Sequence, residues 1–150
     1  MLKFVAEMEL MANLEHPNIL KFEGIIVGYP KLCMVVEYCK PGNLRDIIEM
    51  TPFLDWKGKK TNFALSIADA MKFLHGSAIP ILHRDLKTTN ILLTEWWKVK
   101  LSDFGDSMPI TQSTDIQNGA REEGMVGTEL YMAPELFRGS KYSLECDVYR

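Results

Sequence analysis

Two short polar stretches carry side chains that could take part in phosphate chemistry. The first is His83-Arg84-Asp85-Leu86-Lys87-Thr88-Thr89-Asn90, and the second is Ser102-Asp103-Phe104-Gly105. Together they supply two carboxylates, an amide, a lysine and an arginine. Such a set can hold a divalent cation, accept a proton and neutralise phosphate charge. Oxygen ligands with few fixed positions suit Mg²⁺, which keeps several waters and shares phosphate oxygens.

Short apolar segments surround these stretches and must position them. Residues 79–82, 91–93 and 99–101 are predicted to form buried strands between the polar clusters. The segment 105–130 is polar and shows no periodicity, which predicts a long loop. Loops of that length in compact domains are usually functional or disordered. The candidate chemistry is therefore expected at strand ends and beside one long loop.

A helix is predicted over residues 2–14. Its apolar side chains recur at helical spacing: Phe4, Met8 and Met11. Glu7 falls on the same face, because residues three and four apart share a side of the helix. A carboxylate on an apolar face is costly unless it finds a partner. Glu7 is therefore a candidate functional residue.

The next elements are a hairpin and two further helices. Residues 19–27 and 31–38 are predicted strands, and the intervening Gly28-Tyr29-Pro30 predicts a turn. After the break at 40–42, Asn43 is placed to cap a short helix. Asp55 is placed to cap a longer helix that ends at Gly76.

The two polar stretches resemble the catalytic loop and the metal-binding DFG motif of protein kinases. Further motifs match that family in the correct order along the chain: His16-Pro17-Asn18, the turn after helix αC; Gly127-Thr128, the substrate-docking turn; Ala133-Pro134-Glu135, the end of the activation segment; and Asp147, the start of helix αF. A single tripeptide would be a weak signal, but the ordered set from residue 7 to 147 is specific. The flanking residues are most similar to serine/threonine kinases of the tyrosine-kinase-like group.

The resemblance implies an α+β, two-lobe kinase fold in truncated form. Residues 1–38 would be a remnant of the N-lobe with the start of the hinge. Residues 39–150 would be the part of the mainly helical C-lobe that ends at the start of αF. The expected elements are αC and a β-hairpin in the N-lobe and the first part of the C-lobe.

The resemblance also assigns roles around the reacting groups. Asp85 would accept the proton of the substrate hydroxyl or orient that hydroxyl, and Lys87 would neutralise the γ-phosphate. Asn90 and Asp103 would hold Mg²⁺. Thr128 would contact Asp85 and Lys87 from the docking turn.

Other roles concern nucleotide binding and the scaffold. The backbone at Glu37 and Cys39 would bind adenine, and Leu92 would lie under its ring. Glu7 would be the αC glutamate that pairs with the lysine anchoring ATP. The remaining implied positions complete motifs or support them: Phe104 and Gly105 of DFG, Glu135, which would pair with an arginine, and Asp147 of αF.

Arg84 precedes the catalytic aspartate, which suggests control by phosphorylation of the activation segment. A phosphate carries about −1.5 to −2 charge at neutral pH and pairs with arginine. The candidate acceptors are Ser107, Thr111, Ser113 and Thr114. Nothing in the sequence chooses among them.

The implied function is transfer of the γ-phosphate of ATP, with Mg²⁺, to serine or threonine of a protein substrate. No glycine-rich loop and no Val-Ala-x-Lys strand occur in these 150 residues. The chain is therefore expected to be a fragment with little activity by itself. The alternative is a short, non-catalytic interaction or decoy module that uses kinase surfaces to bind partners.

Composition narrows the class of protein further. Lys and Arg number 17 against 20 Asp and Glu, for a formal net charge of −3. That balance argues against a dedicated nucleic-acid binder. The sequence contains no apolar run of about 18 residues, so it predicts no membrane span. Three cysteines without a CxxC pair predict a reduced, intracellular (cytoplasmic) protein.

Overall fold

The computed structural model describes residues 2–29, 31–53, 56–110 and 126–150 of the chain. In chain order, the elements are α1 (Leu2–Ala12), β1 (Phe22–Gly28), β2 (Lys31–Val36), β3 (Gly42–Asn43), α2 (Leu44–Met50), α3 (Thr61–His75), β4 (Ile81–Leu82), β5 (Ile91–Leu93), β6 (Val99–Leu101), β7 (Met108–Pro109), α4 (Pro134–Phe137) and α5 (Leu144–Tyr149). Helices and strands are mixed along the chain, as the predicted α+β class requires. No helix among the described residues is both long and apolar enough to cross a membrane.

The chain forms two compact units. The first consists of Met1–Ala70 and Thr88–Gly105, and the second of Met71–Lys87 and Asp106–Arg150. This division does not coincide with the predicted boundary between residues 38 and 39. That lobe boundary stays a prediction of the family resemblance.

Two antiparallel sheets build the first unit. Strands β1 and β2 form the predicted hairpin, with an irregular register between Phe22 and Gly24. Strand β5 lies between β3 and β6 in a three-stranded sheet. The backbone at Leu101 in β6 also bonds to the segment after α1, through the N–H of Leu20 and the carbonyl of Asn18, both at 2.8 Å. The β6 strand is therefore tied to the polypeptide that leaves α1.

The core of the first unit explains the predicted periodicities. On α1, Met8 and Met11 are buried. On β5 and β6, the alternate residues Ile91, Leu93, Val99 and Leu101 are buried. Leu92 pairs with Lys100 across the two strands and belongs to their other face. Phe104, three residues after the end of β6, is also buried.

The second unit has a short hairpin and a small helical core. Strand β4 pairs with β7, which joins Leu82 to Met108. The side chains of Met132, Ala133, Leu136 and Cys146 form a buried cluster, against which Tyr142 packs. Most of these residues belong to α4, α5 and the segment before α4. Residues 83–87 of the predicted catalytic loop follow β4 directly within this unit.

Several predicted boundaries were wrong. The strand predicted over 19–27 begins only at Phe22, since Ile19 makes a single bridge to Leu101 instead. The strand predicted over 79–82 is limited to Ile81–Leu82, and the loop predicted over 105–130 contains β7. The regular part of the longer helix begins at Thr61, because Gly58 in the preceding turn has non-helical φ and ψ of −109° and −106°. Asp55, its predicted cap, lies outside the described residues.

Candidate active site

Asp85 is held by hydrogen bonds on both carboxylate oxygens. Its Oδ2 accepts from Lys87 Nζ at 2.5 Å. Its Oδ1 accepts from the backbone N–H and the hydroxyl of Thr128, each at 2.9 Å. Lys87 Nζ also donates to the Thr128 hydroxyl at 2.8 Å. The three predicted side chains are therefore brought together in the second unit, although Thr128 is distant in sequence.

These contacts determine the charge on Asp85. The carboxylate is 5% exposed, and burial acts to raise its pKa. Hydrogen bonds from Lys87 and Thr128 outweigh burial, so the pKa of Asp85 lies below its ordinary value. Hydrogen bonds to the charged form stabilise that form. Asp85 is accordingly ionised at neutral pH and presents a negative, oriented acceptor.

Asp147 supports the backbone that carries Asp85. Its carboxylate accepts from the backbone N–H groups of His83 at 2.8 Å and Arg84 at 2.9 Å. Asp147 Oδ2 also lies 3.1 Å from Nε2 of His75. Arg84 has a φ of 63°, a left-handed conformation that bulky residues rarely adopt. The paired N–H groups on Asp147 hold the chain in that conformation and so aim Asp85.

Burial and hydrogen bonding compete at Asp147 as they do at Asp85. The residue is 2% exposed, and burial acts to raise its pKa. The contacts with His75 and with the two backbone N–H groups outweigh burial, and the pKa lies below its ordinary value. Asp147 is therefore a buried anion stabilised by several donors, which suits a structural role in the loop.

The predicted metal-binding residues lie in the first unit. Asn90 is buried at the start of β5, and its backbone carbonyl accepts from the N–H and the hydroxyl of Ser102, each at 2.9 Å. Asp103 follows Ser102 with a φ of 65°, and its side chain is exposed. The Ser102 contacts thus join the residue before Asp103 to the segment that carries Asn90.

Gly105 lies between two carboxylates. A Cβ atom at this position would be 3.5 Å from Asp103 Oδ1 and 3.5 Å from Glu7 Oε2. The carboxylates of α1 and of the DFG motif therefore flank the same point. This contact brings Glu7, which sequence analysis singled out on the apolar face of α1, to the end of the DFG motif.

The donor set of Asn90 and Asp103 fits magnesium. Amide and carboxylate oxygens are hard ligands, and two of them leave room for waters and phosphate oxygens. No cluster of three or more His, Cys, Asp or Glu side chains suited to a metal ion occurs among the described residues. A cation shared with phosphate matches the residues that are present.

The predicted hinge follows β2. The Glu37 carboxylate accepts from the backbone N–H of Lys21 at 2.8 Å and from Lys100 Nζ at 2.7 Å. Tyr38 is exposed, whereas Cys39 is buried. Burial raises the pKa of the Cys39 thiol, which favours its unreactive protonated form. Leu92, expected under adenine, is partly buried in β5.

The other predicted residues have structural contacts. Glu135 Oε1 lies 3.6 Å from Cys146 Sγ, which donates to it. The Ser107 hydroxyl donates to the carbonyl of His83 at 3.3 Å. Three other candidate phosphorylation sites lie outside the described residues: Thr111, Ser113 and Thr114.

Sequence analysis did not identify Arg150, a residue beside Asp85. Arg150 Nη1 lies 3.7 Å from Asp85 Oδ1, and the Arg150 side chain is fully buried. His75, the last residue of α3, contacts Asp147 and not Asp85. No motif marks Arg150, because its role depends on contacts with residues distant in sequence.

Comparison with known proteins agrees with the motif order. The protein kinase domain family matches residues 2–150. RasGEF domain-containing serine/threonine-protein kinase X of Dictyostelium discoideum is 38% identical over 99% of the chain, which covers 15% of that protein. Probable serine/threonine-protein kinase drkB of the same organism is 38% identical over 98% of the chain, covering 20% of that protein.

A plant relative extends the range of organisms. Serine/threonine/tyrosine-protein kinase HT1 of Arabidopsis thaliana is 34% identical over 98% of the chain, which covers 36% of that protein. The chain thus spans well under half the length of these relatives. Its closeness to the tyrosine-kinase-like group is consistent with them and remains a prediction. The match over nearly every residue shows that the chain belongs to the protein kinase family.

Proposed function

We propose that the protein containing this chain transfers the γ-phosphate of ATP to serine or threonine side chains of protein substrates. The observation that carries the proposal is the arrangement of Lys87 and Thr128 around Asp85. A buried carboxylate with a cation on one oxygen and a docking-turn hydroxyl on the other is suited to orient a substrate hydroxyl. Two of the three relatives are named serine/threonine-protein kinases, which supports this acceptor class, and the third is named a serine/threonine/tyrosine-protein kinase.

Asp85 would act on the hydroxyl that attacks phosphorus. The ionised carboxylate accepts a hydrogen bond from that hydroxyl and takes its proton as the bond to phosphorus forms. Its lowered pKa makes it a weak base, so orientation of the hydroxyl is its main contribution before transfer. Thr128 keeps the carboxylate at a constant angle to the docking turn.

Lys87 would neutralise phosphate charge. Its ammonium group pairs with Asp85 in the structure and is partly exposed, with 22% of the side chain accessible. A partly exposed ammonium can bind a phosphate oxygen while it keeps its contact with the carboxylate. Its contact with Asp85 would put this positive charge beside the attacking hydroxyl.

Asn90 and Asp103 would hold Mg²⁺, and the hinge would hold adenine. Bound Mg²⁺ supplies charge neutralisation at the phosphate oxygens. The exposed Asp103 carboxylate is accessible to a cation, and Asn90 is fixed by the contacts of Ser102 with its backbone. The backbone at Glu37 and Cys39 would hydrogen-bond adenine, with Leu92 as an apolar contact to its ring.

The proposal includes an intracellular location and regulation near Arg84. Phosphorylation of Ser107, Thr111, Ser113 or Thr114 would add negative charge with which Arg84 can pair. Arg84 lies close to the first of these sites, because its Nε donates to the carbonyl of Asp106, the residue before Ser107, at 2.5 Å. Reduced thiols and ATP are both expected inside the cell.

The test is transfer of radiolabelled phosphate from ATP to a mixture of serine, threonine and tyrosine peptides by the natural-length gene product. Asp85→Asn should reduce the rate by about 10²–10⁴-fold, because the hydroxyl loses its charged acceptor. Asp69→Asn is the matched control, since Asp69 lies on α3 with 59% of its side chain exposed and its carboxylate contacts His16, at 3.4 Å, and not the Asp85 site. Its rate should equal that of the wild type.

Three outcomes would refute all or part of the proposal. One is an absence of transfer by folded, natural-length protein, which favours the alternative of a binding or decoy module. The second is transfer that survives Asp85→Asn unchanged. The third is phosphate on tyrosine peptides alone, which would overturn the assignment of the acceptor class.

A further inference from the structure

Arg150 is a buried cation beside the candidate catalytic carboxylate. None of its side chain is exposed, and Nη1 lies 3.7 Å from Asp85 Oδ1. Its Nη2 donates to the carbonyl of Val126 at 3.5 Å. Nε and Nη1 have no hydrogen-bond acceptor among the described residues. Removing a guanidinium from water is costly, so its position next to a negative charge requires explanation.

Gly127 allows the guanidinium to approach the backbone. A Cβ atom at Gly127 would lie 2.7 Å from Arg150 Nη2 and 3.0 Å from Nη1. It would also lie 2.3 Å from the carbonyl oxygen of Arg84. The glycine has a φ of +97°, which side chains rarely tolerate. The backbone at Gly127 therefore lies directly against the Arg150 guanidinium, with no side chain between them.

Both ends of this short segment are held by other residues. The hydroxyl of Tyr142 donates to the Val126 carbonyl at 2.6 Å and accepts from the Val126 N–H at 2.9 Å. At the other end, Thr128 donates twice to Asp85. Arg150 contacts the carbonyl at one end and the carboxylate at the other. Its planar fork is suited to two acceptors in different directions.

We propose that Arg150 is a positioning residue that fixes the 126–128 segment against Asp85. The guanidinium neutralises part of the carboxylate charge at Oδ1 while Lys87 does so at Oδ2. It also anchors the Val126 carbonyl, so that Thr128 keeps its two hydrogen bonds. The catalytic consequence rests on the proposed kinase function, whereas the structural arrangement does not depend on it.

The first experiment measures amide hydrogen exchange in the natural-length protein without nucleotide. Arg150→Met should speed exchange at the Thr128 amide by roughly tenfold or more, because its bond to Asp85 opens more often. Arg150→Lys should give an intermediate rate, since lysine keeps the charge but lacks the fork. Arg138→Met is the matched control, because Arg138 is an exposed arginine after α4. It should leave the Thr128 rate unchanged.

The second experiment measures kinetics with a peptide substrate. Arg150→Met should lower kcat/KM for the peptide by roughly 10–100-fold through misplacement of the reacting groups, with the KM for ATP unchanged. In an Asp85→Asn background the same change should cause little further loss, because the residue acts through Asp85. Arg150→Lys should restore part of the rate.

The proposal is overturned if Thr128 exchange and peptide kinetics are unaffected by Arg150→Met. It is also overturned if the kinetic loss is equally large without the Asp85 carboxylate. If Arg150→Met does not fold, the test is made with Arg150→Lys. An exchange rate at the Thr128 amide equal to that of the wild type would then refute the positioning role of Arg150. Absence of phosphoryl transfer in the wild type would refute the kinase proposal alone, because the exchange measurement needs no activity.

Discussion

At the scale of single residues, the site depends on buried charges that are compensated by hydrogen bonds. Asp85 and Asp147 are both nearly inaccessible to water, yet both have lowered pKa values. In each case burial opposes ionisation and specific donors outweigh it. The stability of the second unit should therefore depend on pH in the acidic range.

Asp147 makes the clearest pH prediction. A carboxylate whose pKa is lower in the folded state stabilises that state above its unfolded pKa of about 3.9. This contribution is lost as the pH falls from the pKa of the unfolded state through the pKa of the folded state. Asp147→Asn should lower the free energy of unfolding by about 3 kcal/mol at neutral pH, because two backbone N–H groups lose their charged acceptor.

Urea unfolding between about pH 3 and pH 7 measures this dependence. The Asp147→Asn variant should show a shallower loss of stability below about pH 4 than the wild type. An equally steep acid dependence in both proteins would show that other carboxylates are responsible. Glu129→Gln is a useful control in the same unit, because Glu129 is exposed.

Gly127 permits a prediction with a closely matched control. Gly127 and Gly139 have φ values of +97° and +80°, so alanine is strained at both positions. A Cβ at Gly139 meets nothing within 4 Å, whereas one at Gly127 meets the Arg84 carbonyl at 2.3 Å. Gly139→Ala should cost about 1–2 kcal/mol from the backbone alone.

The Gly127→Ala variant should cost clearly more, since the backbone of residue 84 must also move. Thermal unfolding of the two variants side by side measures the difference. Equal losses would mean that the contact with Arg84 relaxes freely and that only the positive φ matters. Such a result would also weaken the proposed fit of Arg150 against this glycine.

At the scale of elements, helix α2 shows how a local signal sets a boundary. The Asn43 side chain accepts from the N–H of Asp46 at 3.0 Å, as its predicted capping role requires. Asn43→Ala should lower stability by about 1 kcal/mol, because one N–H at the start of the helix loses its acceptor. Asn43→Ser should retain most of this stability, because the serine hydroxyl can also accept from that N–H. Chemical denaturation of both variants provides the test. Equal losses of stability in Asn43→Ala and Asn43→Ser would indicate that the substitutions disturb the β3 backbone and not the helix cap.

Elements with local signals were the easiest to predict. The spacing of Met8 and Met11 marked α1, and the turn residues before Lys31 marked the hairpin. Strand β7 was missed, since Met108–Pro109 is short and gains its order from pairing with Ile81–Leu82. The delayed start of α3 was missed because it depends on the conformation of Gly58. Such features follow from tertiary contacts or from single backbone angles.

At the scale of the whole molecule, motif order predicted more than periodicity did. The sequence of the catalytic-loop, DFG and docking-turn motifs identified the family, and the structure brings Asp85, Lys87 and Thr128 together. The role of Arg150 could not be foreseen, since it requires the positions of Val126, Gly127 and Asp85 together. Motifs describe what a family shares, whereas Arg150 depends on packing in this chain.

The division into two compact units has a practical consequence for spectroscopy. All three tryptophans, Trp56, Trp96 and Trp97, belong to the first unit. Trp97 stacks on Phe63 with ring centroids 6.4 Å apart, and Lys59 Nζ lies 3.6 Å from the centre of its ring. Intrinsic tryptophan emission is therefore a reporter placed entirely in the unit that carries Asn90 and Asp103. A tryptophan signal from the unit that carries Asp85 requires an introduced tryptophan, and the exposed Phe137 is a suitable position for it.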